Sequence, residues 1–252
     1  MTQLVTAGAP QIAALLAFAG DLLWAIVYII AIVIGQRQRT YAVPMVAIGL
    51  NVTWEVLHTA IYPPALFANL IANLIWLAFD LLIVIQLIRF GRDRQSNDVV
   101  RRFFGGVVVG MLGLALVGHA TFYRHVTSNA IFPDTDGVVS AFVINLVMSV
   151  LFIAFYFERP SGEGISRPIA WLKMLGTASI SAANVIAFET IPRVRYEVQM
   201  RKEGTTDWVD LGSIGSQTVR PGFLYFLFVA ILIFDIVYII LLYRRPRPTT
   251  VN

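Results

Sequence analysis

The chain has 252 residues, of which 13% are charged and 58% hydrophobic, and its mean hydropathy is +0.74. An ordinary soluble protein carries about 25% charge, and a soluble domain of this size could not hide so much apolar surface, so soluble globular, disordered, collagen-like and nucleic-acid-binding classes are all excluded. The 19 basic and 15 acidic residues leave a net charge of +4, and the absence of cysteine removes disulfides, thiolate nucleophiles and Cys-ligated zinc.

Seven apolar segments follow along the chain, at about 10–34, 41–62, 66–90, 104–122, 138–157, 170–190 and 222–243. A membrane-crossing helix needs about 20 apolar residues, which these segments supply. The runs are continuous rather than alternating, which excludes a transmembrane β-barrel. The first lacks a basic leader and continues past the length of a signal-peptide core, so it reads as a span. The expected fold is therefore an all-α integral membrane bundle of seven transmembrane helices, forming one domain over 1–252.

Lys and Arg set the expected orientation. Thirteen of the 19 fall on one side: Arg37, Arg39, Arg89, Arg92, Arg94, Arg101, Arg102, Arg159, Arg167, Lys173, Arg244, Arg245 and Arg247. The positive-inside rule then places the N-terminus outside and the C-terminus in the cytoplasm. The one long connection, 191–221, balances its basic residues with Glu197, Glu203, Asp207 and Asp210. Weak alternation around Arg195–Met200, a turn at Lys202–Thr205 and a return through Trp208 predict a short β-hairpin in this last outer loop. There is no internal repeat, so a transporter built from inverted halves has no support.

The informative residues are the ionisable ones within the spans: Asp21, Glu55, Asp80 and Asp235. Each costs about 2.5–3.5 kcal/mol at the centre of a membrane helix. No cation is expected at matching depth, because Lys173 sits too near a helix end. Carboxyls desolvated without a cationic partner favour the neutral acid, and a neutral acid in a dry pocket is a proton donor.

Helical spacing sorts the polar and aromatic residues into stripes. The first span carries Asp21, Trp24 and Tyr28. The second carries Asn51, Glu55 and His58, and the third Asn69, Asn73, Trp76 and Asp80. The fifth and sixth add Asn145 and the set Thr177, Ser181 and Asn184, and the seventh carries Phe228, Asp235 and Tyr238. These stripes are expected to face a common cavity, open in the outer half and reaching the midplane at Asp21, Asp80 and Asp235. Gly106, Gly110 and Gly113 read as a helix-packing face.

What is missing narrows the chemistry. There is no aspartate-rich magnesium segment, no phosphate-binding glycine loop, no lysine in the last span for a retinal Schiff base, no zinc or di-iron histidine set and no GxSxG. What remains is acids and aromatic rings in an apolar chamber. Such a chamber suits protonation of an alkene or epoxide and guidance of the resulting carbocation: the acid starts the reaction, ring faces stabilise the moving charge, and exclusion of water prevents quenching.

The segments Asn51-Val52-Thr53-Trp54-Glu55 and Phe234-Asp235-Ile236-Val237-Tyr238, in a seven-span chain of this length, resemble the small integral-membrane terpene cyclases of fungal meroterpenoid and indole-diterpene pathways and of bacterial indole-sesquiterpenoid pathways. The resemblance implies that Glu55 and Asp235 form the catalytic acid pair. Beside them, the stripes nominate Asp21, Trp24, Asn51, Trp54, His58, Asn73, Trp76, Asp80 and Tyr238 as substrate-binding residues. His58 and Asn51 would tune Glu55; Trp24, Trp54, Trp76 and Tyr238 would stabilise cations, Trp54 least well because its position turns it about 100° from Glu55.

The expected activity is metal-free, cofactor-free protonation of an alkene or epoxide on a prenyl chain, farnesyl foremost, attached to an indole or other aromatic, followed by cationic ring closure. The expected partners are that hydrophobic substrate and the lipid bilayer, with an upstream prenyltransferase in the pathway and no nucleic acid. The expected location is a bacterial cytoplasmic membrane, or the endoplasmic reticulum if the source is eukaryotic. Two other classes use similar residues. A proton-coupled transporter or channel would need acids staggered to both faces, whereas here the cytoplasmic half is apolar. A lipid- or sterol-binding membrane protein would tolerate loss of both carboxyls.

Overall fold

The computed structural model describes residues 2–63, 67–127, 137–190 and 221–245. The predicted β-hairpin falls in 191–220, outside them. Among the described residues the chain is helical and contains no strand. Eight α-helices follow in order: α1 (Thr2–Gln38), α2 (Met45–Val56), α3 (Phe67–Phe90), the short α4 (Asp98–Arg102), α5 (Phe104–Thr121), α6 (Val138–Glu158), α7 (Arg167–Thr190) and α8 (Pro221–Arg244). Six of them contain stretches long and apolar enough to cross a membrane. The remaining apolar helix, α2, is shorter, but a π-helical turn over Leu57–Ile61 continues it to a run of 17 residues, Met45–Ile61. A second π-helical segment, Phe122–Thr127, ends α5.

Six helices close into a ring. Going round it, α1 packs on α3, α3 on α2, α2 on α6, α6 on α8, α8 on α7 and α7 back on α1, while α5 lies outside against α2. Small residues set the closest approaches. A side chain on Gly20 would collide with Ile180 and with the carbonyl of Gly176, and one on Gly176 would meet Trp24 and the Gly20 carbonyl, so α1 and α7 touch nearly backbone to backbone. Gly49 of α2 seats Met111 of α5. The predicted packing stripe fails this test: side chains on Gly106, Gly110 or Gly113 would meet nothing within 4 Å. These glycines lie on an outward surface of α5, with Val109 and Leu114, 70% and 76% exposed, on the same helix. Broad outward faces of exposed Leu, Ile, Val and Phe on every long helix are what a lipid-facing surface requires.

Inside the ring the core divides into two layers. Val27, Ala31, Ile48, Ile83, Leu87, Met148, Phe152 and Phe155 fill the end that carries the basic residues. Val139, Phe142, Leu224, Leu227, Phe228 and Ile231 fill the opposite end between α6 and α8. Buried polar residues lie between these layers. Tyr28, Glu55 and Asp80 each stand ten residues from the basic end of their helices, at Gln38, Met45 and Phe90. At 1.5 Å per residue that is a common depth of about 15 Å, half the thickness of a bilayer core of about 30 Å.

Candidate active site

Every helix of the ring sends a polar side chain to this middle layer, and the side chains separate into two centres. The first joins α1, α2 and α3. Asn51 donates from Nδ2 to the Tyr28 hydroxyl oxygen at 3.0 Å, and Tyr28 and Asp80 are neighbours lining one crevice. Glu55, one turn beyond Asn51, lies close enough to Asp80 for their carboxyls to interact. Glu55 is 9% and Asp80 2% exposed, and Oε2 of Glu55 and Oδ2 of Asp80 are buried without a hydrogen-bond partner. Among the described residues neither has an ion-pair partner.

Aromatic rings wall this centre. Tyr28 packs against Trp76 at 5.3 Å and stacks on Phe79 at 5.7 Å, and Trp24 lies 6.4 Å away on the same helix. A narrow crevice begins at Asp80, Tyr28, Asn51 and Trp24. It runs between Ile48, Ile83, Met148 and Phe152 toward Ala31 and Val43, at the basic end of the bundle. The expected cavity lies toward the end away from the basic residues, whereas this crevice leads from the buried polar layer toward the basic end.

The second centre joins α6, α7 and α8, and corrects the expectation that the interior holds acids alone. Lys173 Nζ lies 2.7 Å and 3.0 Å from the two carboxyl oxygens of Asp235 and donates to Ser149 Oγ at 2.6 Å. Both side chains of the ion pair are nearly fully buried, at 2% and 4% exposure. Depth along the helix misleads here because Lys173 enters only six residues into α7, about 9 Å, but its four-carbon stem carries the ammonium further to Asp235. Asn145 donates to Thr177 Oγ1 at 2.9 Å and Ser149 to the Asn145 carbonyl at 2.9 Å, which extends the network. The ammonium also lies 5.8 Å from the centroid of Trp24, so one indole touches both centres.

The other nominated residues scatter. Tyr238 is 3% exposed and packs on the crevice-lining Phe152 at 5.3 Å. Asp21 is exposed, two turns from Tyr28 on the same helix face. Trp54 and His58 form a separate cluster toward the opposite end. Trp54 donates from Nε1 to Ser140 Oγ at 2.8 Å and packs on His58 at 4.3 Å, and His58 meets Tyr123 edge-on at 5.7 Å. Their i,i+4 spacing sets Trp54 and His58 on one face, against Ser140 of α6 and Tyr123 beyond α5, and neither lines the crevice. Asn73 donates to the His58 carbonyl at 3.2 Å. The expected tuning of Glu55 does not appear: Asn51 is engaged with Tyr28, and His58 with Trp54 and Tyr123.

Sequence reasoning overlooked two residues of weight. Tyr28 stands in the first stripe, and its hydroxyl is the signal that marks it. Lys173 stands four residues before Thr177 and so continues the stripe Thr177, Ser181 and Asn184 by one turn, a signal that was available.

An α-helical membrane protein with unpartnered carboxyls against an aromatic wall at mid-depth is the class that this fold and site define. The chain belongs to the Pyr4-like transmembrane terpene cyclases, whose family model matches residues 7–196. Among curated proteins it is 29% identical to the terpene cyclase macJ of Penicillium terrestre over 79% of this chain and 75% of that protein. It is 30% identical to the terpene cyclase cle7 of Aspergillus versicolor over 61% of this chain and 63% of that one. The Pyr4-family terpene cyclase mfmH of Annulohypoxylon moriforme is 24% identical over 62% and 63% of the two chains. Several of these matches thus span less than two thirds of the relative's length. The family match includes Glu55 and Asp80 and stops short of α8 and Asp235. No solved structure matches.

Proposed function

We propose that the protein is an acid-initiated cyclase acting on a prenylated, foremost farnesylated, indole or other aromatic within the bilayer. The carboxyl O–H bond breaks as its proton adds to the terminal alkene carbon or the epoxide oxygen. Neighbouring C=C electron pairs then close rings in turn, and the last cation loses a proton to the carboxylate left behind, so product and substrate are isomers. The observation that carries this reading is the pair of buried, unpartnered carboxyl oxygens of Glu55 and Asp80 beside Trp24, Tyr28, Trp76 and Phe79, in a chain of the transmembrane cyclase family.

The two carboxyls that the resemblance nominates take unequal parts. Glu55 belongs to the centre without a cation and supplies acid. Asp235 is instead engaged by Lys173, and this ion pair stands behind Trp24. The aromatic wall supports the travelling cation, each close ring face contributing about 0.5–2 kcal/mol. All seven apolar segments cross the membrane in this reading, with the basic end in the cytoplasm and the 191–221 connection outside.

The test is to supply membranes containing the protein with prenylated indoles and phenols and to follow products by mass and retention. New isomers of unchanged mass are expected. Their absence across the substrate panel, together with proton-coupled flux in proteoliposomes, would replace the cyclase reading with transport.

A further inference from the structure

We propose that Asp80 is the group that hands the proton to the substrate, that Tyr28 is the positioning residue that fixes which of its oxygens carries it, and that Glu55 acts through Asp80 as the resupplying acid. This rests on the cyclase reading and assigns a donor to which neither the resemblance nor the family match gives a role.

The assignment follows from counting hydrogens. An amide nitrogen only donates, so the Asn51 Nδ2 contact at 3.0 Å makes the Tyr28 oxygen the acceptor. The single hydroxyl hydrogen of Tyr28 is then left for its other polar neighbour in the crevice lining, Asp80. A carboxyl that accepts through one oxygen carries its proton on the other, and Oδ2 of Asp80 is the buried oxygen with no partner. Two neighbouring carboxyls without a cation cannot both ionise cheaply, so the Glu55–Asp80 pair retains a proton.

Position decides which of the two delivers it. Asp80, Tyr28 and Asn51 line the crevice together with Trp24 and Phe152; Glu55 does not line it. A proton on Glu55 reaches the crevice by way of Asp80, and after transfer the Asp80 carboxylate is reprotonated from Glu55 or by the terminal cation. The oxygen of Tyr28 and the amide of Asn51 are consumed in orienting Asp80, so Tyr28 contributes its ring face rather than its own proton.

The experiment uses the full-length protein in membranes with a farnesylated indole in deuterated buffer, reading isomer formation and deuterium in the product. Asp80→Asn keeps an oxygen that accepts from Tyr28 but removes the acid. Isomer formation is expected to fall at least about 100-fold, the lower bound of a general acid's contribution. Were Asp80 only a charge acting on Glu55, this variant would remain within about tenfold of wild type, and a rate above one tenth of wild type overturns the proposal. Tyr28→Phe is expected to lower kcat about tenfold with KM within twofold; a change confined to KM overturns the positioning role. Should Asp80→Asn not accumulate in membranes, Asp80→Glu keeps an acid and moves it by one methylene. A changed product ratio is then expected, and an unchanged one overturns the assignment. A wild-type protein that forms no isomer defeats the cyclase reading itself, whereas wild-type activity preserved in Asp80→Asn defeats this inference alone.

Discussion

Lys173 and Asp235 offer a quantitative perturbation because their contact is short and dry. At 2.7 Å and an effective dielectric near 20 their attraction is about 6 kcal/mol. Burying each ion costs several kcal/mol, so the intact pair contributes little net stability while a broken pair contributes a large loss. Lys173→Met leaves Asp235 buried with no ion-pair partner among the described residues. Asp235→Leu leaves an ammonium with Ser149 as its surviving hydrogen-bond partner. Each single variant is expected to lose about 3–5 kcal/mol. The double variant Lys173→Met/Asp235→Leu removes both charges and is expected to return to within about 1 kcal/mol of wild type. The assay is equilibrium unfolding in mixed detergent–SDS micelles, with all four proteins forming a double-mutant cycle. A coupling energy above about 2 kcal/mol is expected for groups in direct contact. Additive losses would refute the reasoning, since they would mean that each ion is solvated independently. The same argument removes Asp235→Asn as a clean probe of catalysis, because it strands Lys173 as well as removing an acid.

Glu55→Gln, by contrast, replaces a carboxyl that has no ion-pair partner among the described residues. It should abolish isomer formation in the prenyl-indole assay by at least about 100-fold while the midpoint of thermal unfolding stays close to wild type; full activity would dismiss Glu55. Gly20→Leu should cost more than about 2 kcal/mol in micellar unfolding, because its side chain meets Ile180 and the Gly176 carbonyl. Gly110→Ala, on an open face of α5, should be neutral or stabilise by up to about 1 kcal/mol. Ser140→Ala removes the acceptor of the Trp54 indole, and should cost about 0.6 kcal/mol with cyclisation unchanged, since that cluster stands off the crevice.

The sequence by itself determined the helices, because membrane insertion is a local property. Each apolar run must satisfy its own backbone hydrogen bonds wherever it ends up. The expected limits 104–122, 138–157 and 222–243 therefore fall within a residue or two of Phe104–Thr121, Val138–Glu158 and Pro221–Arg244. Periodicity also placed Tyr28, Glu55, Asp80 and Asp235 on inward stripes, since helical phase depends only on spacing.

Tertiary structure alone decided which stripes meet. Periodicity within one helix carries no information on its neighbours, so the ring order α1, α3, α2, α6, α8, α7 could not be read, nor could the division of the four acids into the Glu55–Asp80 pair, an ion-paired Asp235 and an exposed Asp21. The reach of Lys173 is a property of rotamer and neighbour rather than of depth. The facing of His58 depends on a π-helical turn that shifts the register after Val56. The low charge content marked the chain as a membrane protein from the outset; the packing of six helices is what brings Glu55 and Asp80 together without a cation and pairs Asp235 with Lys173.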